Sequence, residues 1–166
     1  EAHKNHMNLG FYIYDQSINE TEARQQADWI CEQIRPYPVS YPIFIDSEYS
    51  NPNKNGRADN ITKEQRTKNI VAFCERIMEL GYLPGVYASD NWFKTMLIFD
   101  RLKNYQIWCA RYSTKPPTIG HYDIWQYGSC LIPGSATPID VNHLYKEYLT
   151  NAQPEETAWN EVTAAV

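Results

Sequence analysis

The sequence predicts an α/β fold, curled into an irregular TIM-like β/α barrel instead of spread as a flat sheet, and three observations carry that reading. Apolar segments of strand length alternate with segments of helical periodicity, the pattern of parallel strands joined by crossover helices. Beyond Pro116-Pro117 the alternation stops, and two strand segments follow each other with no room for a helix between them. Strands also carry aromatics on one face and aliphatics on the other, Tyr12 and Tyr14 against Phe11 and Ile13 being the clearest case. A flat sheet covered on both faces is more uniformly aliphatic, so the curled form is preferred.

Taken in order, residues 1–8 read as the last turns of a helix, and 9–14 as the first strand. Asn19 followed by Glu22 has the form of a capping box, and Ala23, Ala27, Ile30, Cys31 and Ile34 recur at helical spacing until Pro36 and Pro38 end the helix. Residues 41–49 form the next strand. Thr62 with Gln65 caps a second helix whose buried stripe is Ile70, Phe73, Cys74, Ile77 and Met78, closed by Gly81. Residues 83–89 are a short strand bearing Tyr87, and Asp90 caps a shorter helix through Trp92, Phe93, Met96 and Leu97. Then come strands at 105–112, with Trp108, Ala110 and Tyr112 in phase, at 121–128 and at 138–144. Residues 1–150 make one domain, and 151–166, with Gln153-Pro154-Glu155-Glu156, a polar tail or linker.

Composition narrows the function. The 13 Tyr and 5 Trp exceed what packing a chain of 166 residues usually needs, and aromatics with polar edges suit a surface that stacks sugar rings or nucleobases. The net charge of −5, with no basic run, argues against a nucleic-acid partner. No apolar stretch is long enough to span a bilayer, so no membrane partner is expected. Cys31, Cys74, Cys109 and Cys130 lack metal-ligand spacing and read as thiols without a zinc site. The histidines show no paired ligand spacing.

The chemistry centres on Ile43-Phe44-Ile45-Asp46-Ser47-Glu48. Side chains alternate along a strand, so Phe44, Asp46 and Glu48 share one face, the two acids roughly 6.5 to 7 Å apart. At that distance each raises the other's proton affinity, as an acid/base pair requires. Two acids at a strand end also read simply as polar residues running out into solvent. The polar, turn-rich segment from Ser50 to Asn60 tips the balance, because it places them at the carboxyl end of a strand in a strand-loop-helix unit, where α/β folds build their sites. A lone aromatic in a strand is usually core. Trp29 and Trp92 are assigned to packing on that ground, whereas Trp108 and Trp125 are drawn to the site by their phase with Tyr112 and Tyr127.

The ordered series Gly10-Phe11-Tyr12-Ile13-Tyr14, Ile45-Asp46-Ser47-Glu48, Gly85-Val86-Tyr87-Ala88, Trp108-Cys109-Ala110-Arg111-Tyr112, Asp123-Ile124-Trp125-Gln126-Tyr127 and Ile139-Asp140-Val141-Asn142 resembles the family 25 glycoside hydrolases, lysozymes of the N-acetylmuramidase type. The resemblance implies an irregular β/α barrel whose last strands lack helices. It implies a peptidoglycan hydrolase that cleaves the β-1,4 bond between N-acetylmuramic acid and N-acetylglucosamine, needs no cofactor and works outside the cell or at the wall. Glu48 then corresponds to the proton donor, Asp46 to its acidic neighbour and Asp140 to the acid near the final strand. Tyr12, Tyr14, Tyr87, Trp108, Tyr112, Trp125 and Tyr127 would line the groove for the glycan strand.

In that chemistry Glu48 is expected to hold its proton while Asp46 and Asp140 stay ionised. One departure stands out. Family members begin with an Asp-bearing strand, a helix and a second strand that have no counterpart here, so two strands of the barrel are missing. The readings are a fragment of a longer protein, strands supplied by another chain, or a rearranged fold with self-association through the open edges. Two other functions compete: a non-catalytic glycan-binding module, and a metal-dependent hydrolase with Asp46, Glu48 and Asp140 as oxygen ligands.

Overall fold

The computed structural model describes residue 5 and residues 7–148. The expected helix at the N-terminus and the expected tail beyond Asn151 therefore lie largely or wholly outside the described residues. Between them the elements run β1 (Phe11–Tyr14), α1 (Glu20–Ile34), β2 (Ile43–Asp46), α2 (Lys63–Glu79), β3 (Pro84–Ser89), α3 (Asp90–Thr95), a short 3-10 turn (Phe99–Arg101), β4 (Gln106–Ala110), β5 (Ile124–Cys130) and β6 (Ile139–Leu144). The strands form one six-stranded sheet in sequence order. All neighbours are parallel except β5 and β6, which pair antiparallel across a bulge between Gln126 and Gly128.

The sheet is a curled half-barrel. The curl shows in the rings on its concave face: Tyr12 on β1 and Trp108 on β4 have centroids 6.3 Å apart. Three strand spacings on a flat sheet would separate them by about 14 Å. On the convex face, Ile43, Ile45, Val86, Ile107 and Cys109 pack against Ala27, Ile30 and Cys31 of α1 and Ile70, Phe73, Cys74 and Ile77 of α2. A closed barrel is not formed among the described residues, since β1 and β6 are the two ends of the strand order.

The local signals work as the residue types dictate. Asn19 Oδ1 accepts from the Glu22 amide, and Thr62 Oγ1 from the Gln65 amide, so both capping residues start their helices. The stripe Ala23, Ala27, Ile30, Cys31 and Ile34 is buried. Three expectations fail. Met78 is 49% exposed, because the buried face of α2 turns instead through Arg66, Thr67 and Asn69. Ser89, not Asp90, caps α3, its hydroxyl accepting from the Trp92 amide. Asp90 is thereby freed to tie down the connection to β5, accepting from the Thr118 amide at 2.6 Å and from Lys94 at 2.7 Å. Trp29 is 57% exposed, so it does not pack in the core.

At Gly85 the backbone of β3 carries no side chain because the Phe44 ring occupies that space. A Cβ there would stand 2.3 Å from two ring carbons. The missing methyl group lets Phe44 lie flat across β3 and meet Trp108 edge-on, with centroids 5.3 Å apart.

Candidate active site

The strand register places the site. Asp46 ends β2 with Tyr14 of β1 as one neighbour and Tyr87 of β3 as the other, and Tyr87 is followed by Trp108 of β4. These residues share the concave face at the carboxyl ends of the parallel strands. Glu48 follows two residues later, after β2 has ended. Its carboxylate opens into the same depression, of about 190 Å³, whose acids are Asp46, Glu48 and Asp140. Tyr12, Tyr87, Trp108 and Gln126 complete its walls. A longer apolar trough of about 440 Å³ shares Tyr12 and Trp108 and continues along the concave face over Phe44, Ile124 and Leu144.

Hydrogen bonds hold three of the aromatics in and beside the depression. The Tyr87 hydroxyl donates to Gln126 Oε1 at 2.9 Å, Trp108 Nε1 donates to Asn142 Oδ1 at 2.8 Å, and the Tyr112 hydroxyl donates to Asp140 Oδ1 at 2.8 Å. Tyr87 also meets Trp108 edge-on, with centroids 4.7 Å apart. Tyr14 stands beside Asp46 rather than in the depression wall, its hydroxyl 3.5 Å from the Glu48 carbonyl. Its phenol is pushed up to about 12 by burial, then by the charges of Asp59, Glu48 and Asp46. The Tyr112 phenol is likewise pushed up to about 12, by burial and by its bond to Asp140. Both remain hydrogen-bond donors at any ordinary pH.

The two acids of β2 differ in setting. Asp46 is buried, with one carboxyl oxygen that has no partner, and burial pushes it up to about 7, helped by the negative charges of Glu48 and Asp15. Burial also raises Glu48, whose end reaches solvent. The expectation that Asp46 stays ionised is therefore corrected. Near neutrality it is divided between its two forms, because its dry position disfavours the charge and a neighbouring carboxylate adds to the penalty.

Two sequence-selected aromatics are not brought to the site. Trp125 pairs with Cys109, a convex-face residue, and its Nε1 donates to the Arg111 carbonyl at 2.9 Å. Tyr127 follows it there and stacks on His143, with centroids 4.4 Å apart. Gln126 between them faces inward. Gln126 and Asn142 have no role assigned from sequence, and nothing in their own residue types marks them as partners of Tyr87 and Trp108. Among the described residues no three His, Cys, Asp or Glu side chains converge as a metal cage.

Solved structures of an autolysin, a muramidase and a lysozyme share this fold. The modular autolysin LytC from Streptococcus pneumoniae matches with a TM-score of 0.72 and 26% identity, over 85% of this chain and 35% of that one. A muramidase from Acremonium alcalophilum matches with a TM-score of 0.67 and 20% identity, over 88% of this chain and 72% of that one. A lysozyme from Streptomyces coelicolor gives 0.66 and 17%, over 88% and 71%. The chain thus spans about a third of the length of the autolysin. No curated protein sequence matches. The profile of the glycosyl hydrolases family 25 matches residues 1–134, and the chain belongs to that family.

Proposed function

We propose that this chain carries the catalytic centre of a peptidoglycan hydrolase that cleaves the β-1,4 bond between N-acetylmuramic acid and N-acetylglucosamine, at the wall and outside the cytoplasmic membrane. The observation that carries the reading is the gathering of Asp46, Glu48 and Asp140 around one aromatic-walled depression. Family membership supports it, as does a structure of the LytC autolysin in complex with a synthetic peptidoglycan ligand, which matches with a TM-score of 0.69 and 24% identity over 85% of this chain and 35% of that one.

In this reading Glu48 is the general acid. Two neighbouring carboxyls that resist ionising together hold one proton between them near neutrality, and Glu48, the one that reaches solvent, delivers it to the leaving glycosidic oxygen. Asp46 then carries the charge and accepts a hydrogen bond from the N–H of the substrate's acetamido group. The acetamido oxygen attacks the anomeric carbon as the glycosidic bond breaks. Water opens the resulting ring while Glu48 takes back a proton. Asp140, held by Tyr112, faces the pair from β6 and stabilises the developing positive charge. Tyr12, Tyr87 and Trp108 grip the sugar rings.

Glu48→Gln, assayed by clearing of a purified wall suspension, is expected to lower turnover by roughly 10²–10⁴-fold with binding to walls retained. Wall lysis at the wild-type rate by that variant would remove Glu48 from the role. Reduction of the newly formed ends with borohydride should yield muramitol, and glucosaminitol would overturn the bond assignment. Wall binding by the wild type with no turnover would mark a glycan-binding module instead.

A further inference from the structure

Glu48 opens into the depression two residues after β2 has ended, so its direction depends on what holds the chain on either side of it. Ser47 is buried, its hydroxyl accepting from Trp92 Nε1 at 3.2 Å. Tyr49 meets the Trp92 ring edge-on, with centroids 4.4 Å apart, and carries the Lys54 ammonium 4.6 Å from its own centroid. Ser50 is held twice by one carboxylate: its amide donates to Asp59 Oδ1 at 3.0 Å and its hydroxyl to Asp59 Oδ2 at 2.7 Å.

Asp59 is 3% exposed and also accepts from the Gly56 amide at 2.8 Å, closing the loop that follows Glu48 on itself. The closure is tight. A Cβ at Gly56 would stand 2.2 Å from the Ser50 hydroxyl oxygen and 3.0 Å from Asp59 Oδ2. Beneath it lies Arg66 of α2, 1% exposed, donating from Nη2 to the carbonyls of Ala58 and Asp59 at 2.8 and 3.1 Å. Its guanidinium stands 5.2 Å from the Trp92 centroid, so the same cation supports the loop and the indole that holds Ser47 and Tyr49. A buried guanidinium is costly unless its donors and charge are used; here Nη2 serves the loop backbone and Asp15 and Asp59 face the charge, while Nε has no partner among the described residues.

We propose that Asp59, backed by Arg66, is a positioning residue for Glu48: the clasp of one carboxylate on Ser50 and Gly56 gives the segment from Ser47 to Ser50 a single course, and so gives the acid a single direction. The inference rests on the reading of Glu48 as the general acid. Burial works to raise the Asp59 carboxyl, but the bonds from Ser50 and Gly56 and the Arg66 charge outweigh it and hold it below the ordinary range. Asp59 therefore stays ionised, and the clasp closed, at the pH where Glu48 must keep its proton.

The test uses the full chain and two kinds of readout. Wild type and Glu48→Gln are compared first on wall suspensions, and loss of lysis in the variant upholds the acid. Failure there sinks that reading and leaves the clasp to be judged by the titration of the Glu48 carboxyl, followed by carbon NMR without reference to turnover. Asp59→Ala is expected to lower kcat about 10- to 100-fold with KM within about twofold. It should also move the alkaline limb of the kcat profile to lower pH and bring the Glu48 titration down towards the ordinary carboxylate value, because the acid swings into water. Asp59→Asn, which keeps one acceptor oxygen, should fall between. Wild-type kcat, alkaline limb and Glu48 titration in Asp59→Ala would overturn the proposal. Should that variant fail to fold, Ser50→Ala, lacking a single hydroxyl, is expected to show the same signature at a few-fold, and wild-type behaviour in it would overturn the proposal equally.

Discussion

The acids reach the depression from two unlike places. Asp46 ends β2, which is flanked by parallel strands on both sides and whose four residues are all buried, and Glu48 follows it by two residues. Asp140 comes from β6, the last strand of the sheet, antiparallel and exposed along most of its length. On the β2 side Asp46 is dry, burial raises the proton affinity of both carboxyls, and the residues flanking Glu48 are anchored. On the β6 side the carboxylate is wet and rests on one phenol. Under the proposed roles, the proton donor stands on the anchored side of the sheet and the charge stabiliser on the exposed side.

The contrast is sharpest at Asp46. Its folded-state affinity is raised from 3.8 to about 7, so the stability linked to it is fully present below about pH 4 and is lost as pH rises through about 7. A change of that size corresponds to a penalty on the order of a few kcal/mol for the ionised form. Asp46→Asn is therefore expected to lower turnover roughly 10²-fold. The same change should raise the melting temperature at pH 8, with the gain shrinking towards pH 4. A lower melting temperature at pH 8 would mean that the carboxylate is not strained by burial and would erase the distinction between the two sides.

Asp140→Asn is expected to cost less turnover than Asp46→Asn, about tenfold. A fall in kcat as deep as that of Asp46→Asn would place Asp140 with the buried acids. The smallest effect belongs to Tyr112→Phe, which removes the bond to Asp140 from a side chain that is 61% exposed. A few-fold rise in KM with kcat nearly constant is the expected signature. A fall in kcat as large as that of Asp140→Asn would show that the phenol does more than orient.

Much of this arrangement is readable from residue order. The caps at Asn19 and Thr62 and the stripe on α1 are short-range signals, and they hold because they depend on neighbours three and four residues away. The pairing of Asp46 with Glu48 is also local, being two steps along one segment. The phase of β5 is not. Ile124, Trp125, Gln126 and Tyr127 offer an apolar or aromatic residue at positions of both faces, and only the register against Trp108 and Cys109 decides which set turns inward. Their shared phase and the family resemblance draw Trp125 and Tyr127 to the site, whereas pairing with the convex-face Cys109 turns Trp125 away from it. Arg66 was likewise out of reach, because a charged residue on a helix reads as a solvent face until the loop carbonyls that use it are folded over it.

The bare backbone at Gly85 has a consequence for what the trough can accept. Because Phe44 rests on β3 with no Cβ beneath it, the depth of the apolar floor is set from underneath, at a position no occupant would touch. Any larger residue there would lift the ring against Trp108 and make the channel shallower. Gauge is thus governed by an atom that is not there.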